Sequence, residues 1–192
     1  MVRLYLASTS PRRSSLLTEA GIDFEVVEPG EEVEGPAEVR ARAVARARSK
    51  ASTARVEGLA PGFVLGVDTV VALDGVEFGK PVDAGDAERM LRALSGRVHQ
   101  VITAHVLRAH PQRTLAVFEA TTTARVRCET LTPSRIAAHA HGRAWIGKAG
   151  GYGIQDAEVD FMELLDGDRD TVIGMSVDAV RRLLDRAGEA GA

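Results

Sequence analysis

A chain of 192 residues, 45% hydrophobic and 27% charged, can bury about two-thirds of its unfolded surface without disulfide or metal staples, and it has no apolar run near the roughly 20 residues of a membrane span. A net charge of −3 argues against a nucleic-acid surface, which needs clustered Lys and Arg, but is compatible with a small anion in a local basic pocket. The single cysteine excludes an internal disulfide, and the five histidines show neither a His-Glu-x-x-His nor a Cys/His spacing, which argues against zinc. The first residues, 1–7, form too short an apolar stretch for a secretory signal, so a cytoplasmic protein is expected.

Leu4–Ala7 reads as a strand. The polar Ser8-Thr9-Ser10 then leads into a helix with Ser10 as N-cap, Pro11 at its first position and Gly21 as its stop. A second strand, residues 24–27, runs into the acidic Glu28-Pro29-Gly30-Glu31-Glu32. The Ala-, Arg- and Glu-rich stretch 36–55 predicts a long surface helix that carries Lys50 near its end. Residues 63–67 read as a compact buried strand ending at Asp68, and residues 70–73 with Val76–Phe78 flank Asp74-Gly75, a strong hairpin signal. Asp83 is placed to cap a helix over Ala84–Leu94, which Gly96 terminates. Long strands at 98–108 and 115–128 are joined by a turn at His110-Pro111-Gln112, with Cys128 as a small buried hydrophobe alternating with Val126. Thr132-Pro133 opens a helix to His141, the glycine-rich stretch 148–155 suits no regular element, and a last helix spans 176–187. Strands and helices that alternate, with hairpins between them, predict an α/β protein with a mixed sheet.

Two arginines, Arg12 and Arg13, fall in the first turn of the first helix, where open N–H groups and the positive dipole end suit an anion. Basic residues there are disfavoured by roughly 0.3–1 kcal/mol each, so either a bound phosphate makes use of them or they face solvent and pair with acids. Asp68, at the end of an all-apolar strand, holds the position where open α/β sheets put their sites; it suits a divalent cation or a proton taken from water, with a turn aspartate as the competing reading. Glu31 and Glu32 offer a second oxygen ligand or form an exposed acidic loop. Gly79-Lys80-Pro81 is no Walker motif, yet it holds a lysine between a glycine and a proline. The run Gly150-Gly151-Tyr152-Gly153 permits close backbone approach, as glycine turns also do without a ligand.

In order along the chain, Leu6-Ala7-Ser8-Thr9-Ser10-Pro11-Arg12-Arg13, Lys50-Ala51, Gly66-Val67-Asp68-Thr69-Val70-Val71, Gly79-Lys80-Pro81, Leu94-Ser95-Gly96-Arg97-Val98-His99 and Lys148-Ala149-Gly150-Gly151-Tyr152-Gly153-Ile154-Gln155 resemble the Maf family of nucleotide pyrophosphatases over nearly the whole chain. The resemblance implies one ITPase-like domain over residues 1–192, α/β, with a long curved mixed sheet, flanking helices and two lobes around a deep cleft. It also implies hydrolysis of the α–β phosphoanhydride bond of pyrimidine or noncanonical nucleoside triphosphates with Mg²⁺ or Mn²⁺. By matching positions, Ser8, Arg13, Lys50 and Lys80 would bind the triphosphate, and Asp68 would be the catalytic carboxylate and metal ligand. Glu32 would assist with metal or water, and Glu31 would replace it if the loop aligns one residue off.

Arg12 and Gln155 match the family branch associated with dTTP and UTP; a branch associated with 7-methyl-GTP usually has Trp at the first of these positions. A glutamine amide can both donate to and accept from a pyrimidine edge. Two residues depart from the family pattern: Asp156 stands where a glycine is usual, and Met175-Ser176 where Leu-Pro is usual before the final helix. A homodimer is the family expectation. The reading from a different class is a nucleotide-binding regulator of cell division without turnover; the presence of Asp68 together with Lys80 favours the enzyme, since a binder needs cations but no catalytic carboxylate.

Overall fold

The computed structural model describes residues 3–111 and 117–190. In chain order the elements are β1 (Leu4–Ala7), α1 (Pro11–Glu19), β2 (Glu25–Val27), α2 (Val39–Ser52), β3 (Gly62–Leu73), β4 (Val76–Phe78), α3 (Ala84–Leu94), β5 (Val98–His110), β6 (Val117–Cys128), α4 (Pro133–His141), β7 (Met162–Asp166), α5 (Arg169–Ile173) and α6 (Val177–Ala190), with a 3-10 turn at Ala149–Gly151. The protein is α/β. Its seven-stranded sheet runs β2-β1-β3-β5-β6-β7, with β4 on β3. β1 is parallel to β2 and β3, whereas β3–β4 and β6–β7 are antiparallel, so the sheet is mixed. Contacts divide the chain into two compact units: residues 1–68, 103–122 and 174–192 form the first, and 69–102 and 123–173 the second. Among the described residues no helix is long and apolar enough to cross a membrane.

In the first unit, the placement of α2 follows from small residues. Ala43, Ala47 and Ala51 recur every four positions and are fully buried, which puts a narrow stripe on one face of the helix. The stripe meets β3 at Gly66, where an added Cβ would lie 2.2 Å from the Ala47 carbonyl oxygen and 2.9 Å from the Ala51 Cβ. No other residue permits that approach. The end of α2 is also tied down: Arg108 donates from Nε to the Ala51 carbonyl (2.8 Å) and from Nη2 to that of Ser52 (3.1 Å), a cation on the open carbonyls of a helix C-terminus. The start of α6 is fixed by His105, whose Nε2 accepts the Ser176 N–H at 2.9 Å while its Nδ1 faces the Ala120 carbonyl at 3.3 Å. The Ser176 N–H can only donate, so the hydrogen of this imidazole sits on Nδ1. A proline at 176 would have no N–H to give.

The second unit encloses a core that includes Phe78, Leu91, Leu94, Val126, Cys128 and Phe161. Cys128 is fully buried and burial pushes its thiol up to about 11, as suits a packed hydrophobe. His99 and Tyr152 share a 2.6 Å hydrogen bond in this core. Gly150 donates its N–H to the Gly79 carbonyl at 2.9 Å, so the glycine run and the Lys80 segment are neighbours within this unit.

Several elements differ from the sequence expectations. Asp68 lies in the interior of one continuous strand, β3, not at the end of a shorter one; its charge is accommodated there because Lys50 of α2 meets it. α2 begins at Val39, not 36, since Glu38 takes the N-cap and its carboxylate accepts from the N–H groups of Arg40 (2.9 Å) and Ala41 (2.6 Å). Ser10 is the N-cap of α1 but makes no capping bond with its side chain; Ser8 Oγ accepts the Ser10 N–H instead, at 3.2 Å. β7 and α5 had no expectation, and the glycine run holds a 3-10 turn. The expected turn at His110-Pro111-Gln112 and the strand start at Leu115 lie in part outside the described residues, at 112 and 115.

Burial lowers the His99 imidazole to about 4 from 6.5, so the native state takes up its proton later than the unfolded chain does. Its contribution to stability is complete above pH 6.5 and is lost as the pH falls toward 4, in full on the order of 3 kcal/mol. Urea unfolding of His99→Gln from pH 7 to pH 4 is expected to show a shallower acid loss than the unsubstituted protein; an equal slope would clear His99.

Candidate active site

Six of the expected site residues belong to the first unit, and the structure brings them together. Ser8 follows β1 directly and is buried. Its Oγ accepts from the Ser10 N–H and, at 3.2 Å, from Nη1 of Arg13. Arg13, in the first turn of α1, also donates from Nε to the Gly174 carbonyl at 2.9 Å. Its guanidinium is thus oriented by two neutral oxygens. Burial lowers its pKa to about 10, against the raising influence of the nearby Asp68. Arg12 is partly exposed beside it and adds to that lowering as a like charge.

Lys50 is delivered by α2, and its position follows from the Gly66 contact two residues before Asp68. Its Nζ lies 2.5 Å from Asp68 Oδ1 and 3.5 Å from Glu32 Oε2. Asp68 Oδ2 is buried and has no hydrogen-bond partner. Removal from water raises the Asp68 carboxyl above the ordinary 3.8, and Lys50 and Arg13 oppose that rise. The native state therefore holds this proton more tightly than the unfolded chain, so ionised Asp68 costs stability as the pH climbs past 3.8. A buried carboxyl perturbed in this way is a mark of a functional site.

Glu32 and not Glu31 carries the carboxylate beside Lys50: Glu31 is held through its main chain, its carbonyl accepting from Ser49 Oγ at 2.8 Å. The sequence reading missed Gly174, Arg46 and Ser49. Arg46 and Ser49 were legible once α2 was placed, one turn and one residue before Lys50; the carbonyl of Gly174 leaves no trace in residue type.

Lys80 and Gln155 belong to the second unit and are exposed there. Gln155 Nε2 donates to Asp156 Oδ1 at 2.7 Å, and Asp156 Oδ2 is ion-paired with Lys148. A carboxylate only accepts, so this contact fixes which end of the Gln155 amide faces Asp156. Gly153 makes room for the pair: a Cβ there would come within 2.4 Å of Gln155 Nε2.

A buried carboxylate with one oxygen on a lysine, next to an arginine at a helix N-terminus, suits phosphate chemistry, and comparison with known proteins points the same way. A family model described as Maf-like protein matches residues 3–187. The chain belongs to the Maf family. Similar Maf relatives include a dTTP/UTP pyrophosphatase of Bordetella avium, 40% identical, with 98% of this chain and 96% of that one covered. The dTTP/UTP pyrophosphatase of Thermus thermophilus is 41% identical, with 94% and 92% covered, and that of Salmonella typhimurium 40%, with 96% and 92%. A solved structure, protein VC0702 from Vibrio cholerae, aligns with 72% of this Maf chain and 68% of its own at TM-score 0.28 and 17% identity, too slight a likeness to bear on the fold.

Replacing Lys50 by Met removes the cation that most opposes the rise of Asp68. The expected result is a further upward shift of the Asp68 carboxyl, read by carbon NMR titration against Asp68→Asn for assignment; an unmoved titration would mean that the pair does not form in solution.

Proposed function

We propose that this protein is a cytoplasmic, metal-dependent pyrophosphatase that hydrolyses dTTP and UTP to the monophosphate and pyrophosphate. The observation that carries the reading is the buried Asp68, with Oδ1 on Lys50 and Oδ2 without a partner, in a chain whose relatives are named dTTP/UTP pyrophosphatases. A binding module has no use for a carboxylate held at that cost.

The residues fit a hard divalent cation. Among the described residues no group of three or more His, Cys, Asp or Glu forms a metal site. Mg²⁺ and Mn²⁺ in phosphoryl-transfer sites, however, take only one or two carboxylates and fill their shell with water and phosphate oxygens. Asp68, through its unpartnered oxygen, and Glu32 would supply those carboxylates. Bound there, the cation would neutralise charge developing on the phosphate oxygens.

The remaining steps belong to the side chains. Arg13, oriented by the Gly174 carbonyl and Ser8 Oγ, presents its guanidinium to the phosphates, and Arg12 in the same turn adds to its charge. Ser8 Oγ already accepts from two donors, which leaves its O–H as a donor to a phosphate oxygen. Lys50 shares its ammonium between Asp68 and the incoming anion. Asp68 orients the attacking water and takes its proton as the new P–O bond forms and pyrophosphate leaves; Arg13 and Lys50 stabilise the charge on the departing group. Lys80 as a phosphate contact and Gln155 as the reader of the base are further parts of the proposal.

Pyrophosphate release measured over a panel of pyrimidine and purine triphosphates, with 7-methyl-GTP included, is expected to show the highest kcat/KM for dTTP or UTP. Asp68→Asn should keep the fold and lower kcat by about 100-fold or more. A purine preference would defeat the base assignment alone, and wild-type kcat in Asp68→Asn would defeat the catalytic one. Nucleotide binding without any turnover would make the protein a regulator.

Charge at the phosphate end is tested separately. Arg13→Ala and Lys80→Ala should each reduce kcat/KM by about tenfold or more, or 1.4 kcal/mol. Gln155→Glu should erode the pyrimidine preference more than kcat, because a carboxylate cannot donate to a base carbonyl. Wild-type kinetics in the two cation variants would remove both residues from the phosphate site.

A further inference from the structure

We propose that Arg46 is a positioning residue for Glu32: with Ser49 it straps the acidic loop to α2 and keeps the Glu32 carboxylate in place when Lys50 turns to a phosphate. The inference rests on the reading of Glu32 as the assisting carboxylate.

Glu32 by itself has little to hold it. It lies in a stretch without regular structure, its side chain is 52% exposed, and its contact with Lys50 is a 3.5 Å ion pair. Fixing a glutamate side chain costs rotamer freedom, and Lys50 is a poor anchor for it, being 2.5 Å from Asp68. Once a triphosphate draws on the Lys50 ammonium, Glu32 would face that polyanion as a like charge and be driven outward.

α2 supplies the restraint on both sides of the residue. Ser49 Oγ donates to the Glu31 carbonyl at 2.8 Å, and Arg46 Nε donates to the Val33 carbonyl at 3.3 Å. The main chain is thus gripped immediately before and after Glu32. Arg46 Nε also stands 3.7 Å from Glu32 Oε1, while Lys50 faces Oε2, so the two cations, one helical turn apart on the same face, take one carboxylate oxygen each. The strap extends both ways. Arg42 donates to the carbonyls of Pro36 (2.8 Å) and Ala37 (2.9 Å). Gly30 gives its N–H to the Lys50 carbonyl at 3.2 Å and sits so close to the helix that a Cβ would fall 1.8 Å from Thr53 Oγ1. Arg46 is the member of this set that bonds both the loop backbone and the carboxylate's charge. A lysine would keep the charge but not the planar guanidinium whose Nε meets both the Val33 carbonyl and the Glu32 carboxylate.

The test combines a double-mutant cycle with hydrogen exchange. Arg46→Gln should lower kcat for dTTP about tenfold with KM little changed, Arg46→Lys should fall between, and Arg46→Gln in a Glu32→Gln background should cost nothing further, since its partner is already gone. Amide exchange over residues 31–34 should quicken in Arg46→Gln and in Ser49→Ala, at unchanged melting temperature. An undiminished loss in the Glu32→Gln background would overturn the proposal, because Arg46 would then act elsewhere; so would unchanged exchange at 31–34. If the unsubstituted protein releases no pyrophosphate, the functional reading fails, and exchange still decides whether Arg46 holds the loop.

Discussion

Burial of an aspartate within a strand, paired with a lysine, is the constraint from which the rest of the first unit follows. A carboxylate removed from water needs a cation at close range, and Lys50 reaches Asp68 only because α2 lies against β3 with nothing but alanine and glycine between them. Arg108 secures the same end of the helix. The pair satisfies one carboxylate oxygen and leaves the other buried and without a partner, a local loss of stability retained where chemistry needs it.

Around that pair the charges differ in how firmly they are held. Arg13 is fastened by a serine hydroxyl and a main-chain carbonyl. Lys50 is shared between two carboxylates and is therefore the cation whose partners a substrate would change. Glu32 is the outermost of the group and depends on the helix beside it. The arrangement thus sets a guanidinium fastened at the start of α1 beside an acid–lysine cluster.

Much of this was legible from residue types. Capping residues placed α3 and α4, and Asp74-Gly75 placed the β3–β4 hairpin. The ordered motifs named Ser8, Arg13, Lys50 and Asp68 before their contacts were known. The interior position of Asp68 was not legible, because an acidic residue in an apolar run reads as its end unless its partner, 18 positions earlier, is known to lie opposite. The late start of α2 was hidden for a local reason: helix propensity is continuous from 36, and only the Glu38 carboxylate on two N–H groups sets the boundary. Glu31 and Glu32 are equivalent in type; Ser49 distinguishes them by engaging the main chain of one. The Gln155–Asp156 contact was foreshadowed only as adjacency, and its amide orientation depends on an acceptor that family pattern would have made a glycine.

The contact of Ala47 and Ala51 with Gly66 has a further consequence for how this protein can change over time. In an ordinary core, a residue that grows can be offset by a neighbour that shrinks, and sequences drift along such exchanges while total volume is kept. Here every partner is already at or near the smallest side chain available, so there is nothing left to shrink. Innovation in this part of the molecule is confined to the outward face of α2, where substitutions change what is displayed beside Lys50 without moving Lys50 itself.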